Sequence, residues 1–274
     1  MSYGRRRYLK PSVFWSIRQG FPGWLRPTLT VAALAVPLLI WSYLSYNELV
    51  NPKFLPAPTA VLAAGWEMFR NEELTLDILA SFGRVMAGFA CAALVGVPMG
   101  IAMGTFYSME SMFGGFVGTV RYMPIAAFMP LIILWAGLGE TAKVLIIFLG
   151  IVFYNAIMVA DAVKFIPSET LNVAYTLGAN RRDVLFKVIL PATLPNIIDT
   201  LRVNVAGAWN FLVISELIAA QNGLGFKIIY SQRFLQTDKV LFCILVIGMI
   251  GLALDFAFKL LFRLLLPWAE PTAS

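Results

Sequence analysis

Residues 175–198 read YTLGANRRDVLFKVILPATLPNII. The first half is polar and basic and is broken by Gly178. The second half is apolar and carries Pro191 and Pro195. To either side the chain is a succession of apolar runs, so the polar segment 161–192 interrupts a greasy sequence. What it interrupts decides how it is read.

The chain has 274 residues, of which 59% are hydrophobic and only 13% charged. A soluble domain carries about 25% charged residues. Half that proportion cannot cover a surface in water, so the bilayer is the expected solvent, with length enough for several spans. The net charge of +6 would suggest nucleic acid in a soluble chain. Here the basic residues lie mostly between apolar runs, which is the pattern that orients membrane proteins. No nucleic-acid-binding motif stands against that reading. Histidine is absent, which removes the commonest metal ligand and general base. Cys91 and Cys243 both fall in apolar runs and read as small packed hydrophobes.

Residues 1–27 include GRRRYLKPSVFWSIRQGFPGWLRP, a basic lead with interleaved aromatics. It reads as a cytoplasmic segment at the membrane interface, or as a plain orienting tail. It is too long for the n-region of a cleaved signal, so the first apolar run is a retained span. The domain proper is expected over 28–274. Spans are expected at Thr28–Tyr46, Ile78–Phe106, Phe113–Gly137, Thr141–Ala160, Leu194–Ala220 and Lys239–Leu266. A short amphipathic helix is expected at Thr59–Arg70, after prolines 52, 56 and 58 stop the first span. The second span holds Gly88, Gly96, Gly100 and Gly104; the last three, at four-residue spacing, share one face, where small residues let helices approach closely. Pro124 and Pro130 should kink or interrupt the third span. Broken helices are tolerated in membranes where neighbours or a wet cavity satisfy the freed backbone. A simply kinked helix fits equally.

Six spans put both termini on one side. Twelve lysines and arginines then fall in the N-terminal lead, the 161–192 loop and the C-terminal end, against seven on the opposite side. That bias predicts cytoplasmic termini and a cytoplasmic loop. Arg121 and Arg202 are expected near the cytoplasmic ends of spans three and five. Within the loop, Ser168 is the expected N-cap of a first short helix, Glu169 sits in its first turn, and Gly178 ends it. ANRRDVLFKVIL begins a second. Its Val184, Leu185, Val188 and Ile189 share one face, and Asp183 and Lys187 another. Pro191 and Pro195 mark the return to the bilayer. The result is a compact knuckle on the membrane surface, although periodicity alone also fits an ordinary interfacial loop.

The knuckle resembles the cytoplasmic coupling motif of permease subunits in bacterial ABC importers. That family's pattern is E-A-A, three residues, glycine, nine residues, I-x-L-P. Here Gly178 is followed by nine residues and then Val188, Ile189, Leu190 and Pro191. The triplet reads Asn172, Val173, Ala174, so the acidic residue is missing, and with it any polar contact it makes in the family. SFGRVMAGFACAALVGVPMGIAMG, MPIAAFMPLIILWAGLGETAKV and AWNFLVISELIAAQNGLGFKI resemble the nitrate/sulfonate/bicarbonate branch. The resemblance implies an all-α membrane protein of about six transmembrane helices in the bacterial inner membrane, surrounded by lipid. It also implies a second permease chain forming a homodimer, two cytoplasmic ATPase subunits and an external substrate-binding protein. Coupling would fall to Ala174, Leu177, Gly178, Ala179, Val184, Leu185, Phe186, Leu190 and Pro191. Of these, Leu177, Val184, Leu185 and Phe186 would fill the ATPase groove. The chain has no phosphate loop of the G-x-x-x-x-G-K-[ST] type and no Gly-Lys pair. ATP and Mg are therefore expected on the partner ATPases, with no cofactor, metal or catalytic residue on this chain.

The cargo implied is a small anion: nitrate, bicarbonate or an alkylsulfonate such as taurine. Tyr122, Pro124, Trp209, Asn210 and Glu216 are the candidate translocation residues, with packing the alternative for Tyr122, Trp209 and Asn210. Glu216, near the outer end of span five, reads as either a structural pair or part of an outer gate. The competing class is a secondary transporter driven by an ion gradient, for which Glu216 and Asp255 are the intramembrane carboxylates. An embedded enzyme has no support from histidine, paired carboxylates or a thiol–base pair.

Overall fold

A computed structural model of the chain describes residues 22–71, 74–267 and 269, with the backbone alone at residues 218 and 219. The basic lead lies outside the described residues as far as residue 21. The elements are helices: α1 (Leu25–Tyr46), α2 (Pro58–Asn71), α3 (Leu74–Thr105), α4 (Tyr107–Val120), α5 (Ile125–Ala136), α6 (Glu140–Lys164), α7 (Ser168–Thr176), α8 (Arg181–Asp183), α9 (Leu190–Ala219), α10 (Leu224–Arg233) and α11 (Thr237–Leu265). A π-helical stretch, Val184–Ile189, joins α8 to α9. No strand occurs among the described residues.

Five helices are long and apolar enough to cross a membrane: α1, α3, α6, α9 with the turns before it, and α11. Helices α4 and α5 pass that test only together, bent by 101° at their junction. The third span is therefore broken rather than kinked. The break falls just before Pro124, which stands at the N-cap of α5. Pro130 does not interrupt anything. It lies inside α5, between the buried Met129 and Ile132 that seat the helix against α6.

The glycine face of the second span sets the topology. Ideal β-carbons on Gly88, Gly96, Gly100 and Gly104 would lie 2.5–2.8 Å from Cβ of Ile147, Asn155, Val159 and Val163 respectively. The offset is 59 residues at each position, so α3 and α6 run parallel with their backbones in contact. Lipid tails supply little hydrophobic drive between helices. Such close backbone packing is the main source of cohesion available. Two parallel neighbours start at the same end of the bundle. The α4–α5 pair must therefore carry the chain back along their full length, and it makes a sixth pass. Helix α9 runs antiparallel to α6, with Phe211 pressed on Gly150 and Asn204 Nδ2 donating to Asn155 Oδ1 at 2.7 Å. Helix α11 runs antiparallel to α9, with Arg202 bonded to Asp255 at 2.5 Å.

The main core is formed where α3, α6, α9 and α11 meet, around Phe89, Ile147, Leu212 and Cys243. Cys91, expected to be packed, instead points outward from α3, while Cys243 is buried. Leu29, Leu34 and Leu39 on α1, Trp24 at its N-cap, and Leu252, Phe256 and Leu264 on α11, are exposed. A water-soluble protein would not leave such continuous apolar faces uncovered.

Candidate functional site

At one end of the bundle the polar segment folds into the knuckle. Helix α7 ends in two reverse hydrogen bonds. Gly178 N donates to Tyr175 O, and Ala179 N donates to Ala174 O, both at 3.0 Å. This six-to-one and five-to-two pairing forms a Schellman end, and it requires a left-handed residue after the cap. Gly178 supplies it at φ +85°. Ala174 and Ala179 complete the motif by packing on the same small cluster as Val163, Val184 and Ile189. Asn180 then caps the next turn. Its side-chain oxygen accepts from Arg182 N at 2.9 Å and Asp183 N at 3.0 Å, and Asp183 accepts in return from Asn180 N.

Three expectations about the knuckle are corrected. Ser168 is not the N-cap: Pro167 holds that position and Ser168 is already helical. Its φ of −58° is the value a proline ring fixes. Pro191 and Pro195 do not separate a second short helix from the span. Both lie within α9, which continues from the π-helical turns without a break. A proline in a helix strikes the carbonyl four residues back. For Pro191 that carbonyl belongs to Lys187, inside the widened π stretch where a helix has room for the ring. Val184 is 3% exposed and faces α6 and the knuckle core, so it cannot fill a partner's groove.

Leu177 and Phe186 are 82% and 62% exposed. They stand out from the knuckle with Val173 and Tyr175, which are also exposed. Leu185 and Leu190 are half-buried, and Pro191 is exposed. Lys187 pairs with Asp183 at 2.6 Å along the polar face.

The opposite end holds a charged cluster that sequence reasoning did not assemble. Arg84, in the third turn of α3, bonds to Glu216 of α9 at 2.6 Å and to both oxygens of Glu140 at the start of α6, at 2.5 and 2.7 Å. The same guanidinium reaches Asn222 O at 2.9 Å. Glu216 is 1% exposed, and its charge is answered on every side. Ser81 Oγ donates at 2.8 Å and Gly225 N at 2.7 Å. Gly223 and Gly225 wrap the carboxylate, and any side chain there would collide with it. Gly223 N donates to Asp77 at 2.6 Å. The helices α3, α6, α9 and α10 are thus tied together at one end. Glu216 stands as the structural pair rather than as a lining residue. Part of the signal was present in the sequence: a charge inside an apolar run needs a partner, and Arg84 and Glu216 were among such charges, together with Arg121, Arg202 and Asp255.

Between the two ends, the break in the third span opens a cleft of about 280 Å³. It is lined by Arg121, Tyr122 and Pro124 from the break, Leu149, Phe153 and Tyr154 from α6, and Phe211 from α9. The Tyr154 hydroxyl donates to Arg121 O at 3.2 Å. Tyr154 lies mid-way along α6. Arg121 is therefore level with the middle of the spans and not near their cytoplasmic end, because α4 carries the chain inward before the break. Trp209 is buried in the main core, so it does not line this cleft. Asn210 is exposed on α9 and is not among the cleft residues.

Residues 92–269 match the family described as "Binding-protein-dependent transport system inner membrane component". The chain belongs to this family. It is a permease, a transport component that spans a membrane. The taurine transport permease of Escherichia coli K12 is 38% identical over 246 residues, covering 88% of this chain and 90% of its own length. An aliphatic sulfonate permease of Bacillus subtilis 168 is 31% identical, over 90% of this permease and 88% of its own length. The nitrate import permease of a Synechocystis strain is 26% identical, over 90% of each chain. The fold is also that of a chain in inward-facing structures of the MetNI methionine ABC transporter. The TM-score is 0.62 at 17% identity, covering 69% of this permease and 94% of that chain.

Proposed function

We propose that this permease is the membrane subunit of an ATP-driven importer whose cargo is a small oxyanion, with an alkylsulfonate such as taurine favoured over nitrate or bicarbonate. The similarity to the taurine permease over nearly the whole of both chains carries this reading. The sulfonate and nitrate permeases among the relatives support the wider oxyanion class. A cognate binding protein outside the cell delivers the anion. Two copies of this chain pair within the inner membrane. Each sets its knuckle into the groove of a cytoplasmic ATPase subunit that holds ATP and Mg. Leu177 and Phe186 are the groove-filling side chains, supported by their exposure on a rigidly capped turn. Both termini and the knuckle lie on the cytoplasmic side, in keeping with the bias of lysine and arginine.

An ion-gradient carrier is disfavoured by a particular observation. The two carboxylates the sequence offered for ion coupling are both held by arginines, Glu216 by Arg84 and Asp255 by Arg202. A carboxylate so engaged is not free to bind and release a coupling ion.

Reconstituted uptake tests the proposal. The permease, its ATPase and its binding protein in liposomes should accumulate labelled taurine only when ATP is supplied. Accumulation without ATP, driven by a proton or sodium gradient, would replace this reading with the carrier.

A further inference from the structure

The geometry points to Arg121 as an oxyanion-binding station half-way through the membrane, in the cleft opened by the broken third span. Within the helical bundle, Arg84, Lys143 and Arg202 each hold a carboxylate at 2.5–2.7 Å. Arg121 holds none among the described residues. Its contacts are one hydrogen bond donated to the Tyr122 hydroxyl at 2.8 Å and the face of the same ring, 4.8 Å from the guanidinium carbon. Its Nε is enclosed and has no acceptor.

A guanidinium cannot shed its proton to escape this setting. A lone cation at mid-depth is costly, and such residues mark ion or substrate routes where a partner arrives from outside the chain. The remainder of the lining fits an anion and not a cation. No carboxylate lines the cleft. Tyr122 Oη accepts a hydrogen bond from Arg121 and so has its own hydroxyl hydrogen to give, and Tyr154 spends its hydrogen on Arg121 O. The free donors are therefore the guanidinium N–H groups beyond the enclosed Nε that are not spent on Tyr122, and the Tyr122 O–H. A planar fork of N–H donors matches the oxygens of a sulfonate or nitrate. The apolar walls of Leu149, Phe153 and Phe211 lower the local dielectric and so strengthen such contacts. The volume is near the lower bound of about 300 Å³ for ligand pockets, which suits a small ion. The first turn of α5, opening at Pro124 beside the cleft, adds a favourable dipole but does not make the site.

This inference rests on the oxyanion-importer reading and assigns its selectivity partly to the permease. The test uses the complete permease–ATPase complex in liposomes with its binding protein, and compares wild type, Arg121→Gln and Arg121→Lys. Labelled taurine and labelled nitrate are the probes, with ATP hydrolysis recorded alongside. Arg121→Gln should lower uptake roughly tenfold or more, the scale of a lost charge-assisted donor. ATPase stimulation by the loaded binding protein should persist. Arg121→Lys should keep part of the uptake but change the taurine-to-nitrate ratio, because the charge remains and the fork is gone. A purely structural role would not move that ratio. If Arg121→Gln fails to assemble, the Arg121→Lys ratio decides alone, and a wild-type ratio overturns the station. Undiminished uptake of both probes by Arg121→Gln overturns it as well. Failure of the wild type to move either anion overturns the oxyanion-importer reading and the station with it.

Discussion

Gly178 and Glu216 show two ways in which one residue controls this permease. At Gly178 there is open space for a side chain, but φ is +85°. The left-handed conformation costs about 1–2 kcal/mol for an ordinary residue and is worse for a β-branched one. Gly178→Val should therefore deform the knuckle, while the helices, held elsewhere, still insert. The expected result is an assembled permease whose uptake falls by roughly tenfold for each 1.4 kcal/mol of distortion transmitted. Transport and co-purification of the ATPase, measured together, separate lost coupling from lost assembly; normal transport would refute the knuckle's role. Glu216 differs in kind. Removing one partner of a buried pair costs about 3–5 kcal/mol. A glutamine would also turn an N–H₂ toward either the Gly225 N–H or the Arg84 guanidinium. Glu140 answers the same arginine from a side chain that is 62% exposed, where a pair contributes about 0–1 kcal/mol. Thermal unfolding in detergent should rank Glu216→Gln well below Glu140→Gln. Equal melting temperatures would show that Arg84 does not depend on its buried partner.

At the level of elements, the α3–α6 contact is the seam that the other helices are built around. A β-carbon on Gly100 would stand 2.5 Å from Ala156 O, which is backbone and cannot move aside cheaply. Overpacking of this kind costs about 1–3 kcal/mol. Gly83, on the same helix, has nothing within reach of an added β-carbon. Gly100→Ala should lower the melting temperature and Gly83→Ala should leave it unchanged within the protomer. Loss of stability at both positions would mean that a second chain covers Gly83. The broken third span has a different logic. Its bend leaves a cation without a carboxylate at mid-depth among the described residues, a costly arrangement that packing alone does not call for and that an arriving anion would explain.

For the whole molecule, the parallel register of α3 and α6 makes the α4–α5 pair a pass, which brings the described passes to six and puts the start of α1 and the end of α11 on one side. Single cysteines at Asn71, Asn180 and Gln236, introduced after replacing Cys91 and Cys243 by alanine, test the sides directly. An impermeant thiol reagent applied to intact cells should label the first and third only. Labelling at Asn180 without permeabilisation would invert or break the proposed arrangement.

The sequence by itself determined the solvent, the helices and the knuckle. Low charge and long apolar runs leave the bilayer as the only medium that suits, and spans are local enough to be read from hydropathy. Gly96, Gly100 and Gly104 were legible as a packing face because their four-residue steps are a property of one helix; that Gly88 extends it against Ile147 came from the structure. The spacing from Gly178 to Leu190 and Pro191 was legible for the same reason. Only tertiary structure decided what meets what. The partner of that glycine face, the pairing of Arg84 with Glu216 across 132 residues, and the burial of Val184 and Trp209 depend on how separate helices turn toward one another. Hydropathy counts residues along one axis and carries no record of that rotation. The depth of Arg121 was misread on the same ground: its distance along the chain from the cytoplasmic loop is local, but its height in the membrane is set by the bend between α4 and α5 and by the packing of both against α6.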